Sequence, residues 1–335
     1  MIQQARHGSY LFSFMNTNTA EFPSFVGVEK TNDRCAVILA GGEGSRLRNL
    51  TRTITGDDRP KQFCPIVGGR SLIDATRKRT AILIPRENTY FSLAAKHESY
   101  FRLPLWDVPA SCRVVQPENK GTAPAILYSL MRIAAEKPNA IVAFFPSDHF
   151  FTEEESFMEQ VDSAFQAAAL NPDSVILLGI QPDTSETSYG WIEPAKSLFG
   201  SETRSFSRVE RFWEKPSARV AERLFTTGCL WNSFVMVGRV DAFLAMYREY
   251  LPEMFRMFAL SSHLFGTERE APIVRSIYAW LNETNFSSEV LEKATGRLMV
   301  MRVADVGWSD LGEPHRVLGT LSGLGLNPVW ARLVA

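Results

Sequence analysis

Cysteine is scarce in this chain, and what there is does not pair. Among 335 residues only 4 are cysteine, at positions 35, 64, 112 and 229. None forms a CxxC pair, which excludes a zinc ribbon and a dithiol motif. Reduced, mostly buried thiols of a cytoplasmic protein are expected, Cys64 among them. Net charge is also nearly absent. The 36 Lys and Arg residues against 37 Asp and Glu leave a formal charge of −1, which argues against a general nucleic-acid binder. No apolar run approaches the roughly 18 to 20 residues of a membrane span. The first 33 residues hold only a short apolar patch, Leu11 to Phe14, without the longer core and cleavage site of a secretory signal. They are expected to form a partly ordered extension. Tandem repeats, low-complexity tracts and Pro/Gly/Ser-rich linkers are missing too. One domain is therefore expected over residues 34–320, followed by a tail at 321–335.

The stretch Cys35 to Phe63, CAVILAGGEGSRLRNLTRTITGDDRPKQF, dominates what is present. An apolar strand, Ala36 to Ala40, runs into Gly41, Gly42 and Gly44. A tract with Arg46, Arg48, Arg52, Arg59 and Lys61 follows, opposed only by Asp57 and Asp58. Glycine lets backbone N–H groups approach a phosphate, and the cations neutralise its charge. A Walker A loop is excluded, because no lysine follows the glycines at the required spacing. A GxGxxG fingerprint is excluded by Leu47 in its third position.

Further strands are expected at Tyr90 to Ala95, Arg113 to Gln116, Ala140 to Phe145 and Val175 to Gly179. Helices are expected from Ser71, from Thr122 as an N-cap, and through Phe157, Val161 and Phe165. This alternation predicts a parallel, doubly wound sheet with its site at the carboxyl ends of the strands. The texture changes after residue 181. A helix is expected from Ser217 to Thr227 and a strand from Leu230 to Val237. Helical stretches are expected over about 240–260 and 270–282, then a strand from Arg297 to Val303. The first half, about 34–180, reads as nucleotide-binding, and 181–320 as the substrate half. Phe225, with the stripe Phe157, Val161 and Phe165, is expected in the core. Trp231 and Trp308 are expected to pack, and His149 and Asp305 to be structural.

The order GGEGSRL, LT, PKQF, QPENKGTAPAI, FFPSDHF, SYGWIEP, FWEKP, LWNSF and GWSDLG, over about residues 35–318, resembles the sugar nucleotidyltransferases. Within them it is similar to the mannose-1-phosphate guanylyltransferases (GDP-mannose pyrophosphorylases). The resemblance implies a glycosyltransferase-A-like, Rossmann-like α/β fold with a mixed, mostly parallel sheet flanked by helices. It implies transfer of GMP from GTP to mannose 1-phosphate, with Mg²⁺ as cofactor and release of pyrophosphate. Ala40, Gly41, Gly42, Gly44 and Ser45 would cradle the triphosphate, with Arg46 and Lys61 as catalytic cations. Gln116, Gly121 and Thr122 would read the base. Asp148 and Asp310 would bind the metal. Gly190, Glu193, Glu214, Lys215 and Asn232 would hold the sugar phosphate. The length leaves little room for a fused isomerase domain or a β-helix tail. A homodimer stays open.

Three departures stand out. Asn49, preceded by Arg48, stands where the family often has proline two residues after the motif's leucine, and Phe234 stands where WNSG often has glycine. Alternatives are a different sugar or base, or a non-catalytic homologue that binds sugar nucleotide. A metal-dependent glycosyltransferase is a further rival, but Asp148-His149-Phe150 supplies no DxD triplet.

Overall fold

The computed structural model describes residues 34–195 and 206–333. The extension expected over residues 1–33 lies outside the described residues. The first half runs β1 (Arg34–Leu39), α1 (Arg48–Thr55), α2 (Leu72–Thr80), β2 (Thr89–Ala94), α3 (Glu98–Phe101), β3 (Arg113–Gln116), α4 (Thr122–Glu136), β4 (Ile141–Pro146), β5 (Phe150–Phe151), α5 (Glu154–Leu170) and β6 (Val175–Ile180). The second runs β7 (Gly190–Pro194), β8 (Phe206–Glu214), α6 (Ala218–Thr226), β9 (Leu230–Arg239), α7 (Val240–Tyr250), α8 (Pro252–Ser261), α9 (Glu270–Trp280), β10 (Leu298–Val303), β11 (Trp308–Ser309) and α10 (Pro314–Gly323).

The elements expected in the first half all form, within a residue or two at their ends. Ser71 caps α2 and accepts a hydrogen bond from the Asp74 amide. The basic tract carries α1. The 240–260 stretch is two helices, because Pro252 starts a new one after Leu251.

The sheet departs from the parallel expectation. Its nine strands run β3-β2-β1-β4-β9-β6-β10-β8-β7, and β7 also pairs with β9. Strands β3, β2, β1 and β4 are mutually parallel. Strand β9 then lies antiparallel between β4 and β6, and β8 is antiparallel to both β10 and β7. The local βαβ rhythm correctly predicts the parallel half. It carries no information about a strand that follows β6 in the chain and inserts beside β4.

Apolar cores cover both faces of the sheet. Leu177 packs to one side among residues of α4, α7, α8 and α9. Ile176 and Leu178 pack to the other against α5 and α6, as period-2 alternation requires. Phe157, Val161 and Phe165 are buried there, but Phe225 is 37% exposed. Helix α6 buries only Ala221 and Leu224, and Phe225, about 100° round the helix from Leu224, faces away. A third, small cluster matters most for the site. Leu47, Leu50 and Leu72 bury together with Leu311, Val317 and Leu321. It fastens the segment around residue 310 to the glycine-rich loop.

Candidate active site

The glycine-rich loop leaves β1 at the carboxyl end of the parallel half. Gly44 has φ 60° and ψ 26°, the left-handed region. A Cβ there would lie 2.9 Å from the Lys61 amide nitrogen. Both conformation and space therefore demand glycine. The loop is stapled from below by Gln62, whose Nε2 donates to the carbonyls of Ala40 and Gly42, each at 2.9 Å. Ser45 and Arg46 lie in the 3-10 turn that follows.

The basic tract is more neutralised than its sequence implies. Arg59 is paired with Asp57 at 2.8 Å, and Arg52 with Asp58. Arg48 and Asn49 are exposed on the first turn of α1 and do not line the cleft beside the loop. Arg46, with its side chain 56% exposed, reaches Glu313 at 3.1 Å. Lys61 alone is buried, at 5% exposure.

Lys61 joins the two aspartates. Its ammonium stands 3.0 Å from Asp148 Oδ2 and also donates to the Asp310 backbone carbonyl. The two aspartates are brought to it by a two-stranded ladder. Strand β5 follows Asp148 and β11 precedes Asp310, and the strands pair antiparallel with Phe150 opposite Ser309. Asp148 sits in a crowded protein environment, yet a third of its side chain opens to the cleft. Burial raises its pKa, but the Lys61 ammonium and the adjacent His149 overcome that and hold the carboxyl below its ordinary value. Asp310 is 8% exposed. Its Oδ1 accepts from the Tyr189 hydroxyl at 2.5 Å and the Gly312 amide at 2.9 Å, while Oδ2 accepts no hydrogen bond among the described residues.

His149 packs against Trp308 and also lines the cleft beside the loop. Its Nδ1 accepts from Trp308 Nε1 at 3.2 Å, and burial lowers its pKa to about 4. Asp305 is exposed, away from this cluster. The indoles of Trp231 and Trp308 pack against the Tyr189 ring. Cys64 is a buried thiol pushed up to about 12 by desolvation.

The cleft beyond the loop has a volume of ≈ 350 Å³ and is lined by Gly41, Gly42, Gly44, Gln116, Gly121 and Thr122 among others, with Asp148 at its side. The structure thus gathers the three glycines and the three base candidates around one space, while Ala40 is buried and neither it nor Ser45 lines that space. Gln116 is a fixed wall. Its Nε2 donates to Ser92 Oγ at 3.1 Å, and its Oε1 accepts from Tyr278 at 3.1 Å. Helix α4 starts differently from expectation. Gly121, at φ 87°, is its N-cap, and a Cβ there would meet the Thr284 carbonyl at 2.4 Å. That carbonyl already accepts from the Ala123 amide at 3.0 Å. Thr122 Oγ1, free of the capping duty, accepts from the Phe286 amide at 2.8 Å.

The sugar-phosphate candidates are only partly assembled. Strand pairing sets Gly190 opposite Glu214, and a Cβ at Gly190 would lie 3.1 Å from Glu214 Oε2. Burial raises the Glu214 pKa. Lys215, at φ 48°, lies 3.9 Å away with a largely exposed side chain. Glu193, an odd number of residues along β7 from Gly190, points to the other face, where it accepts from Trp213 Nε1 at 3.2 Å. Asn232 Oδ1 accepts from the Phe234 amide at 3.1 Å. Phe234 itself holds φ 58°, the conformation that the glycine of WNSG takes without strain, and it lines the same cleft as the glycine loop.

Four supporting residues escaped the sequence reading. Gln62 and Tyr189 lay within recognised motifs, so position offered a signal. Glu313 and Arg79 had none. Arg79 is 1% exposed and donates to Glu154 at 3.1 Å and the His149 carbonyl at 3.3 Å, bracing the Asp148 segment. Burial lowers its pKa to about 10.

Among the described residues no helix is long and apolar enough to cross a membrane. The Nucleotidyl transferase family matches residues 35–320. Xanthan biosynthesis protein XanB from Xanthomonas campestris pv. campestris is 30% identical over 293 residues, 84% of this chain and 58% of that protein. Mannose-1-phosphate guanylyltransferase 2 from Escherichia coli O157:H7 is 28% identical over 297 residues, 83% of this chain and 58% of that one. The chain thus spans a little under three fifths of the length of these curated relatives. Among solved structures, the protein described as mannose-1-phosphate geranyltransferase from Thermus thermophilus superposes with a TM-score of 0.71 at 28% identity, covering 84% of this chain and 76% of that chain. A UDP-glucose pyrophosphorylase bound to UDP-glucose superposes at 0.53 with 16% identity over 87% of this chain and 98% of that chain, a likeness of fold alone. The family match over residues 35–320, most of the chain, makes this chain a member of the nucleotidyl transferase family.

Proposed function

We propose that this chain transfers GMP from GTP to mannose 1-phosphate, giving GDP-mannose and pyrophosphate. The observation that carries the proposal is the Lys61 ammonium set between Asp148 and Asp310 beneath the glycine-rich loop. In-line phosphoryl chemistry asks a protein for positioning and charge stabilisation at such a point. The loop amides from Gly41 to Ser45 hold the triphosphate, and Arg46 turns from Glu313 to the departing pyrophosphate. Lys61 steadies the α-phosphate and the attacking sugar phosphate. Gln116, Gly121 and Thr122 line the base end, and Glu214, Lys215 and Gly190 meet the sugar phosphate, with Glu193 and Asn232 shaping that end through Trp213 and Phe234.

The acidic pair fits Mg²⁺. Its donors are hard oxygens: the cleft-facing Asp148 carboxylate and the Asp310 Oδ2 left over by Tyr189 and Gly312. Among the described residues no group of three or more His, Cys, Asp or Glu gathers as a closed metal cage, which suits an ion that takes its other ligands from phosphate and water. Bound there, Mg²⁺ supplies Lewis acidity and a template for the phosphates.

A second reading, transfer to a different sugar 1-phosphate, has Phe234 in its favour, since a phenyl ring narrows the cleft where the motif has no side chain. One experiment separates these readings: pyrophosphate release across GTP, ATP, UTP, CTP and dTTP, each with mannose and glucose 1-phosphates. Release with GTP and mannose 1-phosphate is expected. Release only with a non-guanine nucleotide would sink the guanylyl assignment, and release with glucose 1-phosphate alone the mannosyl one.

A further inference from the structure

We propose that Lys61 is an internal counter-ion that holds the metal position closed until a triphosphate arrives, so that the divalent ion enters with the nucleotide and not before it. The inference rests on the reading of Asp148 and Asp310 as the metal pair.

The geometry is specific. The Lys61 side chain is 6% exposed, so its ammonium has no bulk water to fall back on. Its partners among the described residues are oxygens of the two residues that would ligate the ion, Asp148 Oδ2 at 3.0 Å and the Asp310 carbonyl. A buried ammonium bound to a carboxylate already supplies the neutralisation that a metal would offer. An Mg²⁺ ion approaching Asp148 must therefore displace a cation or share the carboxylate with it at close range, and either weakens its binding. The remaining charges near the pair do not offset this. His149, next to Asp148, is engaged with Trp308 through its Nδ1, and Arg79, packed behind it, is committed to Glu154.

A triphosphate in the glycine loop changes the balance. Gly44 packs against the Lys61 backbone, so phosphates cradled there come within reach of the ammonium. Each phosphate oxygen gives Lys61 an alternative acceptor and gives the metal an additional ligand. Metal and nucleotide then favour each other, which is a coupling between two sites through one side chain.

The test is Mn²⁺ binding to the full-length chain, read by electron paramagnetic resonance of free Mn²⁺. Nucleotide-free wild type is compared with Lys61→Met and with Lys61→Gln, which keeps a donor for the Asp310 carbonyl but removes the charge. Each Lys61 variant is expected to bind Mn²⁺ at least about tenfold tighter than wild type, because a unit positive charge at contact distance from the ligand has gone. Adding Asp148→Asn should abolish the gain. If a folded variant, checked by circular dichroism, binds Mn²⁺ no tighter than wild type, the counter-ion role is overturned. A separate arm protects the underlying reading: wild type and Asp148→Asn with a non-hydrolysable GTP analogue present. Weaker Mn²⁺ binding by Asp148→Asn there supports the metal pair even when the Lys61 result is negative. No effect of Asp148→Asn in any background overturns both.

Discussion

Gly44 shows how much one position can carry. Its left-handed φ is unfavourable for any side chain, and the Lys61 backbone occupies the space a Cβ needs. Gly44→Ala is expected to cost about 2 kcal/mol of stability through backbone strain and crowding. Because the same shift pushes Lys61 off the aspartates, kcat/KM should fall on the order of 100-fold. Urea denaturation and pyrophosphate release measure the two effects. Gly42, by contrast, has open space around its Cβ position. In sequence the glycines look alike, and only the fold separates Gly44 from Gly42.

Glu186 gives the residue scale a pH signature. Burial would raise its carboxyl, but hydrogen bonds from the Ser188 amide and hydroxyl and from Arg316 hold it at about 2, below the ordinary 4.5. A folded-state pKa below the unfolded value adds stability above pH 4.5 that is lost as pH falls towards 2. Glu186→Gln should therefore lower stability at pH 7 by about 3 kcal/mol. It should also flatten the loss between pH 4.5 and 2 relative to wild type. Thermal melts across that range check both. Arg316 also lies over the Tyr189 ring at 4.9 Å from its centroid, so the pair sits behind the tyrosine that orients Asp310.

At the scale of elements, the beginning of α4 is the instructive case. The tract GTAPAIL announces a helix, and one forms at Thr122–Glu136. Its cap was not legible, because the partner that satisfies its amides is the segment around Thr284 and Phe286, far downstream in the chain. Thr122→Val should leave the Phe286 amide without its acceptor, a loss of about 1–2 kcal/mol. The nucleotide KM should rise several-fold with little change in kcat, since the wall of the cleft loosens while the phosphate end stays intact. A drop in kcat at unchanged KM would contradict this. The short ladder of β5 and β11 makes the same point. Two residues on each strand set Asp148 beside Asp310, and two-residue strands leave no periodic signal.

At the scale of the whole molecule, the parallel half of the sheet follows from the alternation of apolar strands and amphipathic helices between residues 34 and 180. The glycine loop, Gln116 and Asp148 fall at the carboxyl ends of those strands, where the alternation puts them. The reversal at β9 does not follow, because strand order across the middle of a sheet is set by long-range packing. That reversal also decides how the end of the sheet around Gly190 is built. It sets β7 against β9 with Trp191 opposite Trp231, and β7 alternation then sends Gly190 and Glu193 to opposite faces. Motif order could place both residues near one pocket but could not say which of them faces it.

The central claim is nucleotidyl transfer at the Lys61–Asp148–Asp310 cluster. Its most direct test follows α-³²P-labelled GTP with mannose 1-phosphate and Mg²⁺, comparing wild type with Asp310→Asn. The predicted result is label in a sugar nucleotide with unlabelled pyrophosphate released, and a loss on the order of 100-fold or more in Asp310→Asn. Label appearing as free GMP or GDP, or full transfer retained by Asp310→Asn, would contradict it.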